Sequence, residues 1–135
     1  MVSRRVATLI TGAFYFAIIF GFAFATGVFR VLVLTPHLGP AAAVCVEVPV
    51  LLLASWVVAR WLLRGRSFRA GELIAVGTIA WVLTMASEAT LATLIWGQTI
   101  NQRAATLATP VGFVGLAGQL GFGIMPLAIG RSRHC

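Results

Sequence analysis

Apolar residues fill four long stretches of the chain, and short polar or turn-forming segments separate them. The apolar stretches cover residues 6–34, 41–63, 72–96 and 110–129. As helices rising ~1.5 Å per residue, all four reach or approach the ~30 Å depth of a bilayer's hydrocarbon core. The pattern therefore predicts an all-α, membrane-embedded four-helix bundle that forms a single transmembrane domain over residues 1–135.

Proline and glycine positions predict where these helices turn or bend. Residues 35–40 read TPHLGP, which is typical of a tight turn between the first two spans. Pro49 and Pro126 fall inside the second and fourth spans. Each proline removes one backbone N–H from the helix ladder, so we expect a kink at both positions.

The composition agrees with a membrane location. Of 135 residues, 60% are hydrophobic and 10% are charged, and the mean hydropathy is +1.01. Ten basic residues, all arginine, stand against three glutamates, for a formal charge of +7. Nucleic-acid binding would need a polar, basic face, whereas these arginines fall mainly between apolar runs. We therefore expect the lipid bilayer, and no nucleic acid, as the partner.

The distribution of arginines predicts the orientation of the bundle. Most of them belong to the N-terminus, the connection between spans two and three, and the C-terminal tail: Arg4, Arg5, Arg64, Arg66, Arg69, Arg131 and Arg133. The other two connections hold only His37 and Arg103. By the positive-inside rule, both termini face the cytoplasm.

Each predicted helix carries one strongly polar residue at a similar depth. These residues are Arg30, Glu47, Glu88 and Gln119. Arg30 lies eight residues before Leu38, at the first turn, and Glu47 lies nine after it. At ~1.5 Å per residue, both lie ~12–14 Å from that turn, and similar counts place Glu88 and Gln119 near the same level. The spacing predicts one buried polar layer.

The predicted layer has an unequal number of charges. A lone charge at membrane depth costs at least ~2.5 kcal/mol, so we expect Arg30 to be shared by Glu47 and Glu88, with Gln119 bridging them. One arginine against two glutamates leaves a surplus carboxylate, which predicts a proton on Glu47 or Glu88. Thr84, one turn before Glu88, either extends the polar face or bonds its own backbone.

Two functional hypotheses follow from this layer. In the first, it holds together a non-enzymatic assembly or accessory subunit, because buried polar groups fix which helices face each other. In the second, the protein is a small channel or proton-coupled carrier, with Glu47 and Glu88 as the proton carriers. An intramembrane enzyme is disfavoured, because the sequence has no aspartate and no recognisable nucleophile–histidine pair. Either hypothesis allows a homo-oligomer or a larger membrane complex.

Metal and cofactor sites are not expected. His37 and His134 are distant in sequence and lack neighbouring ligands, so we expect neither metal nor cofactor. Cys45 lies within an apolar run, where it is expected to be a small buried hydrophobe, and Cys135 is the last residue. No disulfide framework or zinc-ligand spacing is present.

The first hairpin resembles a known group of membrane proteins. Residues 27–39 read G-x-x-R-V-L-x-L-x-P-x-L-G, residues 47–49 read E-x-P, and residues 54–56 read ASW. This pattern is similar to a family of small four-span bacterial inner-membrane proteins, with weaker similarity at Glu88 and at Met125-Pro126. The resemblance implies a four-helix fold and a bacterial inner-membrane location, and it implies no particular activity.

Overall fold

The computed structural model describes residues 2–132, except for the side chains of residues 2, 96 and 132. This part of the chain is all-α. The helices are α1 (Val2–Phe29), α2 (Thr35–Leu38), α3 (Pro40–Leu62), α4 (Ala70–Trp96), α5 (Ile100–Leu107) and α6 (Pro110–Ser132), and a π-helical segment (Arg30–Leu34) joins α1 to α2. Arg133, His134 and Cys135, which entered the sequence predictions, lie outside the described residues.

Four helical stretches are long and apolar enough to cross a membrane. They are Ser3–Leu38, Pro40–Leu62, Ala70–Ile95 and Pro110–Arg131. Large apolar side chains cover their outer surface, including exposed Leu32, Leu53 and Leu94. Such a surface is unfavourable in water and favourable against acyl chains. The predicted fold class, an all-α four-helix bundle, is confirmed, and the chain is a multi-pass membrane protein.

The first two spans meet in a tighter turn than the sequence predicts. The helix continues past Leu34 as far as Leu38, and only Gly39 reverses the chain, with φ of +87°. Pro36 cannot donate to the carbonyl four residues earlier and would crowd it. The preceding segment widens into a π-helix, in which the Thr35 N–H donates to the Arg30 carbonyl. Arg30 therefore lies where the helix changes its pitch.

The connection between α4 and α6 contains a short helix that the sequence prediction missed. Gly97, with φ of +62°, ends α4 in the left-handed conformation. Helix α5 then starts with a capping box, in which Gln102 N–H donates to Thr99 Oγ1 at 3.2 Å and Thr99 N–H donates to Gln102 Oε1 at 2.9 Å. This cap satisfies backbone groups at the start of α5, the eight-residue helix that carries Arg103.

The four long helices form an antiparallel ring in the order α1, α3, α6, α4. Each packs against its two neighbours in this ring. Glycines permit the closest approaches: a Cβ built on Gly77 of α4 would lie 1.8 Å from the carbonyl oxygen of Gly123 of α6. A Cβ on Gly118 would lie 2.9 Å from Val48 of α3. Gly118 and Gly123 of α6 therefore serve packing within this chain.

A packed core fills the half of the bundle nearest the N-terminus, called here the packed half. Its buried apolar residues are Tyr15, Ile19, Ala59, Leu63, Leu73, Val76, Ala80, Phe122 and Ile129. The Tyr15 ring stacks on the Phe122 ring with centroids 4.5 Å apart, across the bundle from α1 to α6. This contact closes the centre of the bundle at that level.

A proline in α6 explains the hydrogen bond that Tyr15 makes. Pro126 lies four residues after Phe122 and has no N–H to donate to the Phe122 carbonyl. The Tyr15 hydroxyl donates to that carbonyl at 2.7 Å, so the buried acceptor is satisfied by another helix. Helices α3 and α6 run continuously through Pro49 and Pro126, and the predicted kinks stay predictions.

One sequence expectation about the packing is wrong. Cys45 is exposed on α3 instead of buried. Its neighbours Ala43 and Val44 are buried and Val46 is exposed, so the inward face of the helix passes through residues 43 and 44. An apolar run that spans a membrane has apolar residues on every side, so hydropathy alone does not show which of them face inward.

Candidate ligand-binding cavity

The half of the bundle opposite the packed core is open and contains a cavity of about 330 Å³, called here the central cavity. All four long helices and α5 contribute to its wall. Its polar lining residues are Arg30, Glu47, Ser55, Thr84, Glu88, Arg103, Thr106 and Gln119. The four residues that the sequence predicts at one level, Arg30, Glu47, Glu88 and Gln119, therefore all border the same space.

Arg30 and Glu47 form an ion pair that links the first two spans. The Arg30 Nε contacts the Glu47 Oε2. On the other carboxylate oxygen, Thr26 Oγ1 donates to Glu47 Oε1 at 3.3 Å. A Cβ added to Gly27 would lie 3.8 Å from Glu47 Oε1, so the small residue leaves room for the carboxylate against α1.

Glu88 has different partners from those predicted. Its Oε2 accepts from Arg103 Nη2 at 2.9 Å and from Gln119 Nε2 at 2.6 Å. These contacts join α4 to α5 and α6. The expectation that Arg30 is shared by Glu47 and Glu88 is wrong, because Arg103 supplies a second cation. The site holds two arginines and two glutamates, so the predicted surplus carboxylate, on which the expected proton rested, is absent from it.

The predicted buried layer is also not supported. The side chains of Arg30 and Glu47 are 30% and 11% exposed, and those of Arg103 and Glu88 are 27% and 31% exposed. Only Glu47 approaches full burial. The pairs border a cavity and do not form a closed layer. Charged groups at membrane depth therefore line an open space in the bundle instead of being enclosed by protein.

Arg103 is the functional residue that the sequence reasoning missed. It belongs to the polar segment between spans three and four, which the sequence predicts to be a loop outside the membrane. The signal that predicts its position is the pattern Thr99-x-x-Gln102, a capping box that starts a helix. A carboxylate at the depth of Glu88 is also expected to pair with a cation, because an unpaired charge at that depth is costly.

Two hydroxyl groups in the wall use their hydrogens within their own helices. Thr84 Oγ1 donates to the Ala80 carbonyl at 2.8 Å, and Ser55 Oγ donates to the Leu51 carbonyl at 2.7 Å. For Thr84, the backbone bond considered from the sequence is confirmed, and the residue borders the cavity as well. The Ser55 hydroxyl also contacts the Tyr15 side chain, so both hydroxyls are engaged within the protein.

Gln119 leaves one acceptor unused. Its Nε2 donates to Glu88, whereas its Oε1 is buried and has no hydrogen-bond partner among the described residues. A buried acceptor without a partner costs about 1–3 kcal/mol. A water molecule or a ligand donor inside the central cavity would remove that cost. The cavity therefore offers two guanidinium groups, two carboxylates and one free amide oxygen.

A second space, called here the lateral groove, runs along the surface between α1 and α4. Its volume is about 660 Å³. It shares several lining residues with the central cavity: Phe20, Ala23, Gly27, Arg30, Glu88 and Arg103. The remainder of its wall is almost entirely apolar and includes Phe24, Val28 and Leu91. The two spaces therefore adjoin along their shared wall.

Other kinds of site find little support. No group of three or more His, Cys, Asp or Glu side chains that would suit a metal ion occurs among residues 2–132.

Comparison with protein families, with curated proteins and with solved structures finds no match. The class that the fold defines is a small multi-pass membrane protein, and any function has to be argued from the central cavity.

Proposed function

We propose that this protein is a non-enzymatic ligand-binding protein of the bacterial inner membrane that acts as a small channel or carrier. The observation that carries the proposal is the central cavity of about 330 Å³, which five charged or amide side chains border at membrane depth. Charges in this position are expensive and are typical of ligand or ion pathways. The bacterial location rests on the resemblance of the first hairpin, and the cytoplasmic placement of both termini rests on the arginine distribution.

Closure of the packed half favours a carrier over a permanently open channel. Tyr15 and Phe122 stack across the bundle, and the lining of the central cavity reaches no further towards the arginine-rich end than Ile19 on α1 and Phe122 on α6. A ligand in the central cavity would need a change in helix packing to leave on that side. Proton coupling through Glu47 or Glu88, expected from the sequence, stays a prediction, because each carboxylate has its own arginine partner in the site.

A thiol-labelling experiment tests whether water reaches the cavity. In a Cys45→Ser, Cys135→Ser background, Gly115→Cys places a thiol in the cavity wall, where an added Cβ meets nothing within 4 Å. We expect a membrane-impermeant thiol reagent to modify it from the periplasmic side only. The control, Ala80→Cys, lies in the fully buried core and should not react from either side. No reaction of Gly115→Cys from either side would contradict the proposal.

The second candidate function is the assembly or accessory subunit, in which the ion pairs only hold helices together. It is favoured by the contacts themselves, because one pair joins the first two spans and the other joins α4, α5 and α6. Flux measurements in liposomes separate the two candidates. A carrier predicts pH-dependent flux that Glu88→Gln abolishes in a folded protein, and a structural subunit predicts no flux with any ion or amine tested.

A further inference from the structure

The lateral groove extends over about one leaflet of a bilayer. It follows α1 and the π-helical segment from Phe20 to Leu32, which is ~18 Å at ~1.5 Å per residue. Half of a ~30 Å hydrocarbon core is ~15 Å. The groove lies on the membrane-facing side of the bundle, where Phe24 and Leu32 are exposed. An acyl chain fits this depth and this apolar lining.

The polar wall that the groove shares with the central cavity holds guanidinium donors that no described residue uses. Arg30, Arg103 and Glu88 line both spaces, whereas Glu47, which pairs with Arg30, borders only the central cavity. The Glu47 carboxylate therefore lies on the inner side of the junction, and each guanidinium group also borders the groove. The hydrogen bonds of the described residues engage only Nη2 of Arg103, and the ion pair of Arg30 is made through Nε. Both guanidinium groups keep donors that suit a phosphate group.

We propose that the central cavity and the lateral groove together bind one anionic phospholipid-like molecule taken from the bilayer. Its phosphate lies between Arg30 and Arg103, and one acyl chain lies in the groove along α1. This inference rests on the proposed ligand-binding role of the central cavity and names the class of ligand. A water-soluble anion would need the cavity alone and would gain nothing from the groove.

The unused acceptor of Gln119 fits a hydroxyl-bearing head group. Gln119 Oε1 is buried beside Glu88, on the inner side of the junction. A glycerol or sugar hydroxyl attached to the phosphate would give this oxygen the donor that it lacks. A head group that carries only methylated ammonium would offer no such donor. We therefore expect a preference for hydroxylated anionic head groups over choline.

Native mass spectrometry of the detergent-purified protein tests the proposal. The probes are dioleoyl phosphatidylglycerol, dioleoyl phosphatidylcholine and water-soluble glycerol 3-phosphate. We expect one phosphatidylglycerol to remain bound, with an affinity about tenfold or more above that for the choline lipid. Both lipids carry a phosphate, but the ammonium of choline offsets its attraction to the guanidinium groups and choline offers no hydroxyl to Gln119 Oε1. Glycerol 3-phosphate should bind much more weakly, because it has no chain to occupy the groove.

Three variants separate specific binding from general attraction between arginines and anionic lipid. Arg103→Gln should weaken phosphatidylglycerol binding about tenfold or more, because it removes one of the two phosphate donors. Val28→Trp places an indole over the groove at an exposed position and should weaken lipid binding without disturbing the core. Arg64→Gln removes the same charge from an exposed site at the opposite end and should leave binding within about twofold.

Each result supports or contradicts the proposal. Equal phosphatidylglycerol binding by Arg103→Gln and Arg64→Gln would identify the lipid as adventitious and overturn it. Tight binding of glycerol 3-phosphate that Val28→Trp leaves unchanged would also overturn it, while the ligand-binding role of the cavity would stand. That role is tested separately by labelling of Gly115→Cys. If Arg103→Gln fails to fold, the exposed Val28→Trp variant decides the outcome.

Discussion

Removing the Tyr15 hydroxyl tests how the packed half of the bundle is stabilised. Tyr15→Phe keeps the ring that stacks on Phe122 at 4.5 Å and removes the hydroxyl that donates to the Phe122 carbonyl and also contacts Ser55. No N–H from Pro126 replaces the hydroxyl as the donor to that carbonyl. A buried acceptor without a partner costs about 1–3 kcal/mol, and hydrogen bonds measured in membrane proteins reach ~1.7 kcal/mol. We therefore expect the free energy of unfolding to fall by about 1–2 kcal/mol.

A second substitution shows whether the proline is the reason for this cost. Pro126→Ala restores a backbone N–H that can donate to the Phe122 carbonyl within α6. In that background, Tyr15→Phe should cost less than about 0.5 kcal/mol, because the carbonyl keeps a donor. The difference between the two costs is the coupling energy of a double-mutant cycle. The Ser55 contact is lost equally in both backgrounds, so it does not enter the coupling energy. A value near 1 kcal/mol is expected.

The assay is reversible unfolding by sodium dodecyl sulfate in mixed micelles, followed by the fluorescence of the four tryptophans. All four proteins of the cycle are measured at the same detergent concentration. Equal costs of Tyr15→Phe with and without Pro126 would refute the reasoning, because the hydroxyl would then not be compensating for the missing N–H. A cost near zero in both backgrounds would show that the hydrogen bond contributes nothing to stability.

Three further predictions use the same unfolding assay. Gly77→Ala should lower the free energy of unfolding by about 2 kcal/mol or more, because its Cβ would lie 1.8 Å from a backbone oxygen of α6. The matched variant Gly115→Ala should change it by no more than about 0.5 kcal/mol, because its Cβ meets nothing within 4 Å. Equal effects of the two variants would contradict the close approach of the helices. Arg30→Ala should be less stable than the double variant Arg30→Met/Glu47→Leu, because the single change leaves the Glu47 carboxylate unpaired. A double variant less stable than Arg30→Ala would contradict the pairing. Thr99→Ala should cost about 1 kcal/mol by removing the cap of α5, and an unchanged stability would show that this cap is dispensable.

Hydropathy was sufficient to predict the fold class, because a bilayer leaves few choices for long apolar segments. The convergence of Arg30 and Glu47 on one space was also accessible from the sequence. The two residues flank a single turn at nearly equal distances, and helices joined by a short turn must lie side by side. Depth along a helix is fixed by residue count, so it is the most predictable coordinate of a membrane bundle.

Lateral positions in the bundle were harder to predict. Residue counts placed Glu88 at the correct end of the bundle but did not identify its partner. Arg103 contacts Glu88 from α5, a polar segment that hydropathy alone assigns to a loop. The volume of the central cavity was also inaccessible, since it depends on how closely the helices pack. The close approach of α4 and α6 needs Gly77 and Gly123 to meet, and no periodicity in the sequence reports which glycines meet.

The arrangement of the ion pairs has a consequence for biogenesis. Arg30 and Glu47 belong to one hairpin, so the first two spans can enter the membrane together with their charges already neutralised. Glu88 has to wait for Arg103, which the ribosome delivers only after the whole third span has emerged. A chain that ends before Arg103 is therefore expected to insert its third span less efficiently, because Glu88 then lacks its cation, whereas the first two spans already carry the Arg30–Glu47 pair.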